Sequence, residues 1–342
     1  MRNLVVCCDG TWNTPEQRDE GVPVPTNVVR LYNAVAERDA AGEEQLRYYH
    51  PGVGSEGNWW ERLAGGSAGV GLTRNVLSAY RWLGTTYRDD GGGDRLFLYG
   101  FSRGAYTVRS LAGMIGQCGL LDLTGLDERE VWKRVERAFK EGYRKRRAAA
   151  DWAGDWHFHG GGPGTTFPIH FIGVWDTVGA LGIPDDLTLL NLLDDPKKYA
   201  FHATDLGDGV VHARHALALD EMRGSFSPTL WTDVAPSRDV KQVWFPGVHA
   251  DVGGSYRAVV RPRGGGGQRR QLGCGRHPGA ARADPDQGGV HPHPGALRLP
   301  LLLRQRRVAL LRQQLIYWRL CARRADDDGG ANFFFFAERK KV

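Results

Sequence analysis

Short apolar runs that stop abruptly at glycine or aspartate turns, with helical stripes between them, narrow the folds open to this chain more than any other feature. Leu4-Val5-Val6-Cys7-Cys8 stops at Asp9-Gly10-Thr11, and Arg95-Leu96-Phe97-Leu98-Tyr99 stops at Gly100. Phe167–Trp175 (FPIHFIGVW), ending at Asp176, and Lys241–Phe245 (KQVWF), ending at Pro246-Gly247, read as strands too, though each carries polar residues. Unbroken apolar runs bounded in this way read as buried strands. Leu46–His50 reads as a further strand. Asn27–Ala36 places Val28, Leu31, Tyr32 and Val35 at helical spacing, and 72–87 and 105–117 carry similar stripes. Residues 127–150 read as one charged amphipathic helix ending in the basic run Arg144–Arg147. Strands alternating with helices predict an α/β fold, a mostly parallel sheet with helices on both faces. Gly65–Gly71 reads as a glycine-rich loop. Residues 180–240 lack the alternation and are expected to form a cap or insertion near the site.

Charge divides the chain. Its net +6 is the sum of a body, residues 1–257, with 28 Lys and Arg against 33 Asp and Glu, and a tail, residues 258–342, with 17 against 6. The basic excess therefore lies outside the patterned body, and no nucleic-acid partner is expected for that body. The tail is rich in Arg, Gly and Pro, with RPRGGGGQRRQ at 261–271 and a basic, Pro300-interrupted helical pattern within 296–321. Three readings stand for it: a disordered basic arm, a membrane-surface helix, or a shifted reading frame of a GC-rich gene. Cys7, Cys8, Cys118, Cys274 and Cys321 form no CxxC pair, so neither a disulfide framework nor a metal site is expected, and no cofactor. No apolar run approaches the ~20 residues of a membrane span. The opening MRNLVVCCDG reaches Asp9 too soon for a signal-peptide core. The expectation is a soluble chain made in the cytoplasm, compatible with export by a route that needs no cleaved signal.

Gly100-Phe101-Ser102-Arg103-Gly104 carries the chemistry. GxSxG alone is weak in a chain with 47 glycines. Here it follows a strand and opens a helix, the strand–turn–helix setting of a nucleophile elbow. Gly100 and Gly104 permit a tight turn, and the turn sets the serine hydroxyl at a helix N-terminus, where a developing anion is favoured. The competing reading is a serine that merely caps the helix. A serine nucleophile needs a base and a group that orients the base, and in this class they follow in the order Ser, Asp or Glu, His. Asp176 ends the strand in FIGVWDT, on the rim where parallel sheets place their sites. His249 follows another strand in the glycine-flanked FPGVHADVGG. His157 and His159 fall in a glycine loop, His202, His212 and His215 in the expected cap, and His291 and His293 in the tail. Arg103, with Gly10 or Thr11, is expected to supply the backbone N–H groups of an oxyanion hole. Asp-Gly-Thr after a strand also occurs in aspartate-nucleophile phosphatases. Those need a second Asp two residues before the first, where this chain has Cys7.

Four motifs in order, CDGTWNT with TNVVRLYNAV, GFSRGAYTVRSLAGMI, FIGVWDTVGALG and VWFPGVHADVGGSY, resemble an α/β-hydrolase family. That family includes the type VI secretion lipase effectors with phospholipase A activity. The resemblance runs from residue 2 to about 256, and after Tyr256 the chain departs from the family's amphipathic helices. It implies Ser102 as nucleophile, Asp176 as acid and His249 as base, with Asp9 and Asp251 as supporting carboxylates. It also implies a lipid or other ester substrate cleaved through an acyl-enzyme, contact with a membrane surface, and immunity or secretion partners. The alternative is an inactive relative with an interaction role.

Overall fold

The computed structural model describes residues 1–10, 13–52, 68–179, 205–232 and 234–256. Thr11, the expected cap from residue 180 to residue 204, and the basic tail lie outside the described residues.

Six strands form one sheet: β1 (Asn3–Cys8), β2 (Gln45–His50), β3 (Arg95–Phe101), β4 (Ile169–Trp175), β5 (Val210–Ala218) and β6 (Asp239–Phe245). Their order is β2-β1-β3-β4-β5-β6, and every neighbouring pair is parallel. This is the α/β architecture that the alternation predicts. The unbroken apolar runs have a direct cause, because both faces of the sheet are covered. Leu4, Val6, Cys8, Leu96, Leu98 and Ile172 face helices α2 (Ala68–Thr86) and α3 (Arg103–Cys118). Val5, Cys7, Phe97, Tyr99 and Phe171 face the other way, against Val28 and Val35 at α1 (Asn27–Ala34). A strand with water on one face would show polar residues at every second position.

Three expectations change. Gly65–Gly71 is expected as a loop, yet its residues 68–71 already belong to α2, and 65–67 lie outside the described residues. Val210–Ala218 lies in the stretch expected to be a cap, yet β5 is an inner strand of the sheet. Its sequence hides this because His212, Arg214 and His215 interrupt the apolar run. Each is partnered inside the fold. His212 and Arg214 both donate to Asp239 Oδ2 at 2.7 Å, and His215 meets Gln242 Oε1 at 3.2 Å. The helix expected over 127–150 is α-helical as α4 (Glu128–Arg137) and then widens to a π-helical stretch over Ala138–Arg144. Side chains of α3 take carbonyls there: Cys118 Sγ donates to Ala138 O at 3.6 Å and Gln117 Nε2 to Gly142 O at 2.9 Å. Competition of this kind for backbone acceptors accompanies a wider turn.

Strand order places the site. β1 connects through α1 on one face toward β2, whereas β3 connects through α3 on the opposite face toward β4. A crevice opens at the carboxyl ends of two parallel strands whose connections part in this way. Asp9-Gly10 and Ser102 lie at the ends of those two strands.

Candidate active site

Ser102 joins β3 to α3 with φ 56° and ψ −123°, in a region that side chains with a Cβ rarely adopt. Its N–H donates to Trp175 O at 3.0 Å, and its carbonyl accepts from Tyr106 N at 3.2 Å and Val178 N at 3.4 Å. Neighbouring elements therefore hold the strained residue through its backbone. Gly100 and Gly104 make the turn sterically feasible. A Cβ on Gly104 would run into the carbonyl oxygens of Cys8 and Asp9, and one on Gly100 into the backbone of Gly104 and Ala105. The Ser102 side chain makes no helix-capping bond, which removes the capping alternative.

Asp176 follows β4, fully buried, with φ 39°. Its N–H donates to Ala216 O at 2.7 Å, and its Oδ1 accepts from Ala218 N at 2.9 Å, so β5 holds both its backbone and its carboxylate. The other oxygen, Oδ2, lies 2.6 Å from His249 Nδ1. A carboxylate only accepts, so the imidazole carries its proton on Nδ1 and presents a lone pair at Nε2. Ser102 Oγ donates to that lone pair at 2.9 Å. All three side chains are buried, in an orientation reached across 147 residues of sequence.

His249 begins the short helix α5 (His249–Gly253), and Phe101 and Phe226 flank its ring with centroids 4.6 Å and 4.8 Å away. Asp251 shapes this turn, accepting from Val248 N at 3.0 Å through Oδ2. Asn27 Nδ2 donates to Val252 O at 2.8 Å, so the start of α1 holds the same turn.

Asp9 is buried and accepts from Thr26 Oγ1 at 2.6 Å, Gly10 N at 2.7 Å and Tyr49 OH at 2.9 Å. Burial pushes its carboxyl up to about 6, against the pull of these three donors. Because Thr26 also caps α1 through Val29 N at 3.1 Å, Asp9 ties the end of β1 to that helix. One expectation is corrected here: the Gly10 N–H is taken up by the carboxylate of Asp9. An oxyanion would have to compete with that carboxylate for it, and Thr11, the other expected donor, lies outside the described residues. Arg103 is the first residue of α3, and a helix does not use its first N–H groups internally. Cys8, one residue before Asp9, is no rival nucleophile, because burial pushes its thiol well up and keeps it protonated.

Some supporting residues carry no motif signal. Asp220 and Glu221, in the turn after β5, accept from Gly247 N at 2.6 Å and His249 N at 3.2 Å. His215 accepts from Thr177 N at 3.2 Å, beside Asp176, and burial lowers its pKa to about 3, which keeps it neutral and able to accept. Their roles depend on strand pairing, which short-range sequence does not display. Among the described residues no three His, Cys, Asp or Glu side chains converge as a metal ion would require, and no helix is long and apolar enough to cross a membrane.

The site can be set beside known proteins. An uncharacterized protein of Saccharomyces cerevisiae, YEL023C, is 30% identical over 247 residues, covering 68% of this chain and 33% of that protein. A crystal structure of an uncharacterized protein from Pseudomonas aeruginosa is 19% identical with a TM-score of 0.38, covering 75% of this chain and 42% of that one. The structure of the Tle1 effector bound to the VgrG spike from the type 6 secretion system is 17% identical with a TM-score of 0.39, covering 76% and 53%. The chain thus spans between a third and about half the length of these relatives. A family model described as "T6SS, Phospholipase effector Tle1-like, catalytic domain" matches residues 2–263, which include every residue of the site above. The chain belongs to the Tle1-like phospholipase effector catalytic-domain family of type VI secretion.

Proposed function

We propose that the chain is a serine esterase that cleaves carboxylic ester bonds of lipids, phospholipids foremost, through a covalent acyl-enzyme. The observation that carries this reading is the continuous hydrogen-bond relay from Ser102 Oγ through His249 to Asp176, with distances of 2.9 Å and 2.6 Å. Ser102 Oγ attacks the ester carbonyl carbon while His249 Nε2 takes its proton. Asp176 keeps the other imidazole proton on Nδ1 and stabilises the positive charge that forms. The negative oxygen of the tetrahedral intermediate is held by the N–H of Arg103 and one from the Gly10-Thr11 turn after β1. Collapse expels the alcohol, which receives its proton from His249. Water, deprotonated by the same base, then releases the fatty acid and restores Ser102.

Family membership supports the phospholipid substrate, contact with a membrane surface, and secretion and immunity partners. Within that reading the protein is exported by the type VI secretion route. The intact relay weighs against the inactive-relative reading. Hydrolysis of phospholipid vesicles by the wild type and Ser102→Ala tests the proposal. The variant should lose on the order of 10³-fold or more in rate, and equal rates would overturn it.

A further inference from the structure

The turn that follows β5 meets His249 on two sides. Glu221 Oε2 accepts the His249 backbone N–H at 3.2 Å, and the Phe226 ring stands edge-on to the imidazole at 4.8 Å. Arg223 joins the two contacts. Its Nε donates to Glu221 Oε1 at 2.8 Å, its Nη2 donates to Oε2 at 2.7 Å, and its guanidinium carbon sits 3.8 Å from the centre of the Phe226 ring. The Glu221 side chain is buried, whereas that of Arg223 is 56% exposed. Arg223 is therefore not a core residue, and its organised contacts converge on the base of the relay.

We infer that Arg223 is a positioning residue for His249: the edge of its guanidinium holds Glu221 on the histidine backbone while its face rests on Phe226, which bounds the imidazole. The effect on rate rests on the triad reading; the effect on the ring does not. During a turnover the imidazole receives a proton from Ser102 and delivers it to the leaving alcohol while staying bonded to Asp176. A ring displaced by about an ångström loses up to roughly 10²-fold in rate. Arginine is needed because a lysine ammonium offers neither a fork for both carboxylate oxygens nor a flat face for a ring. The bidentate bonds from Arg223 hold the Glu221 carboxyl down at about 2, so the acceptor for the His249 N–H stays charged.

The test uses the full chain carrying Arg223→Lys, Arg223→Met, Glu221→Gln, or Arg223→Met with Glu221→Gln. Phospholipid hydrolysis is measured together with the low-field proton resonance of the His249 Nδ1–H bonded to Asp176. Arg223→Lys and Arg223→Met should lower kcat about 10-fold or more, with KM within about twofold and the thermal midpoint within about 4 °C. The resonance should broaden or vanish. The double variant should be no worse than the poorer single one, because both residues act along one path. Unchanged kcat and an unchanged resonance in both arginine variants overturn the inference. So does a fall in kcat matched by an equal loss of folded protein, which would assign Arg223 to stability. A Ser102→Ala protein as active as the wild type removes the triad reading instead, and the resonance still reports whether Arg223 holds the ring.

Discussion

At the scale of single residues the site is a set of atoms whose options have been removed. The Ser102 backbone is held at both its N–H and its carbonyl, and both Asp176 oxygens are occupied. His249 is bonded at both ring nitrogens and packed between two aromatic rings. Asp176→Asn tests how much of this is tautomer control. The amide still reaches Ala218 N through its oxygen but turns an NH₂ donor toward His249, which moves the imidazole proton to Nε2 and removes the acceptor for Ser102. Activity should fall by on the order of 10⁴-fold with little change in stability, measured as kcat for vesicle hydrolysis beside a denaturant titration. These three residues were identifiable in the sequence because each follows a strand in a distinctive motif. Glu221 and Arg223 were not, since a charged pair in a loop looks the same whether it supports a base or merely faces water.

At the scale of elements, the elbow requires β1 and α3 to approach more closely than a side chain allows. Gly104 lies against the backbone of Cys8 and Asp9. Gly104→Ala should cost roughly 1–3 kcal/mol of stability, as overpacking does. It should lower activity by more than that stability loss explains, because the displaced strand end carries Asp9 and Gly10 beside Ser102. Denaturant midpoints and the rate of fluorophosphonate labelling at Ser102 separate the two effects; labelling at the wild-type rate would show that the turn tolerates the shift. The strands β1, β3 and β4 are legible as apolar runs because burial on both faces leaves little room for a polar side chain, whereas β6 is only partly buried and is marked by its apolar end at Val243–Phe245. β5 shows no such run because its polar residues are satisfied across strands, with Arg214 and His212 sharing Asp239.

At the scale of the whole molecule, stability and site are linked through Asp9. This carboxyl is raised to about 6 by burial, so the folded state binds its proton more tightly than the unfolded chain does. Its contribution to stability is therefore fully present below about pH 4 and is lost as pH rises through about 6, by roughly 3 kcal/mol in all. Asp9→Asn should remove this dependence. The stability difference between variant and wild type, followed by denaturant unfolding from pH 4 to 7, should shift in favour of the variant as pH rises. A flat difference would mean that Asp9 ionises like an exposed carboxylate. The net +6 of the chain, by contrast, says nothing about the site, because its basic excess lies in residues 258–342 while the catalytic-type body carries more acid than base. By itself the sequence determined the α/β class, the strand ends that bear Ser102, Asp176 and His249, and their order along the chain. Those properties arise from local periodicity and from turns that only certain residues can make. Tertiary structure alone decided that β5 completes the sheet, that the Gly10 N–H belongs to Asp9, and that Glu221 and Arg223 stand behind His249. The pairing of β5 and the contact of Glu221 with His249 depend on hydrogen bonds between segments far apart in the chain, and the Asp9 carboxylate that takes the neighbouring Gly10 N–H is itself fixed by the distant Thr26 and Tyr49, pairings that no local pattern records.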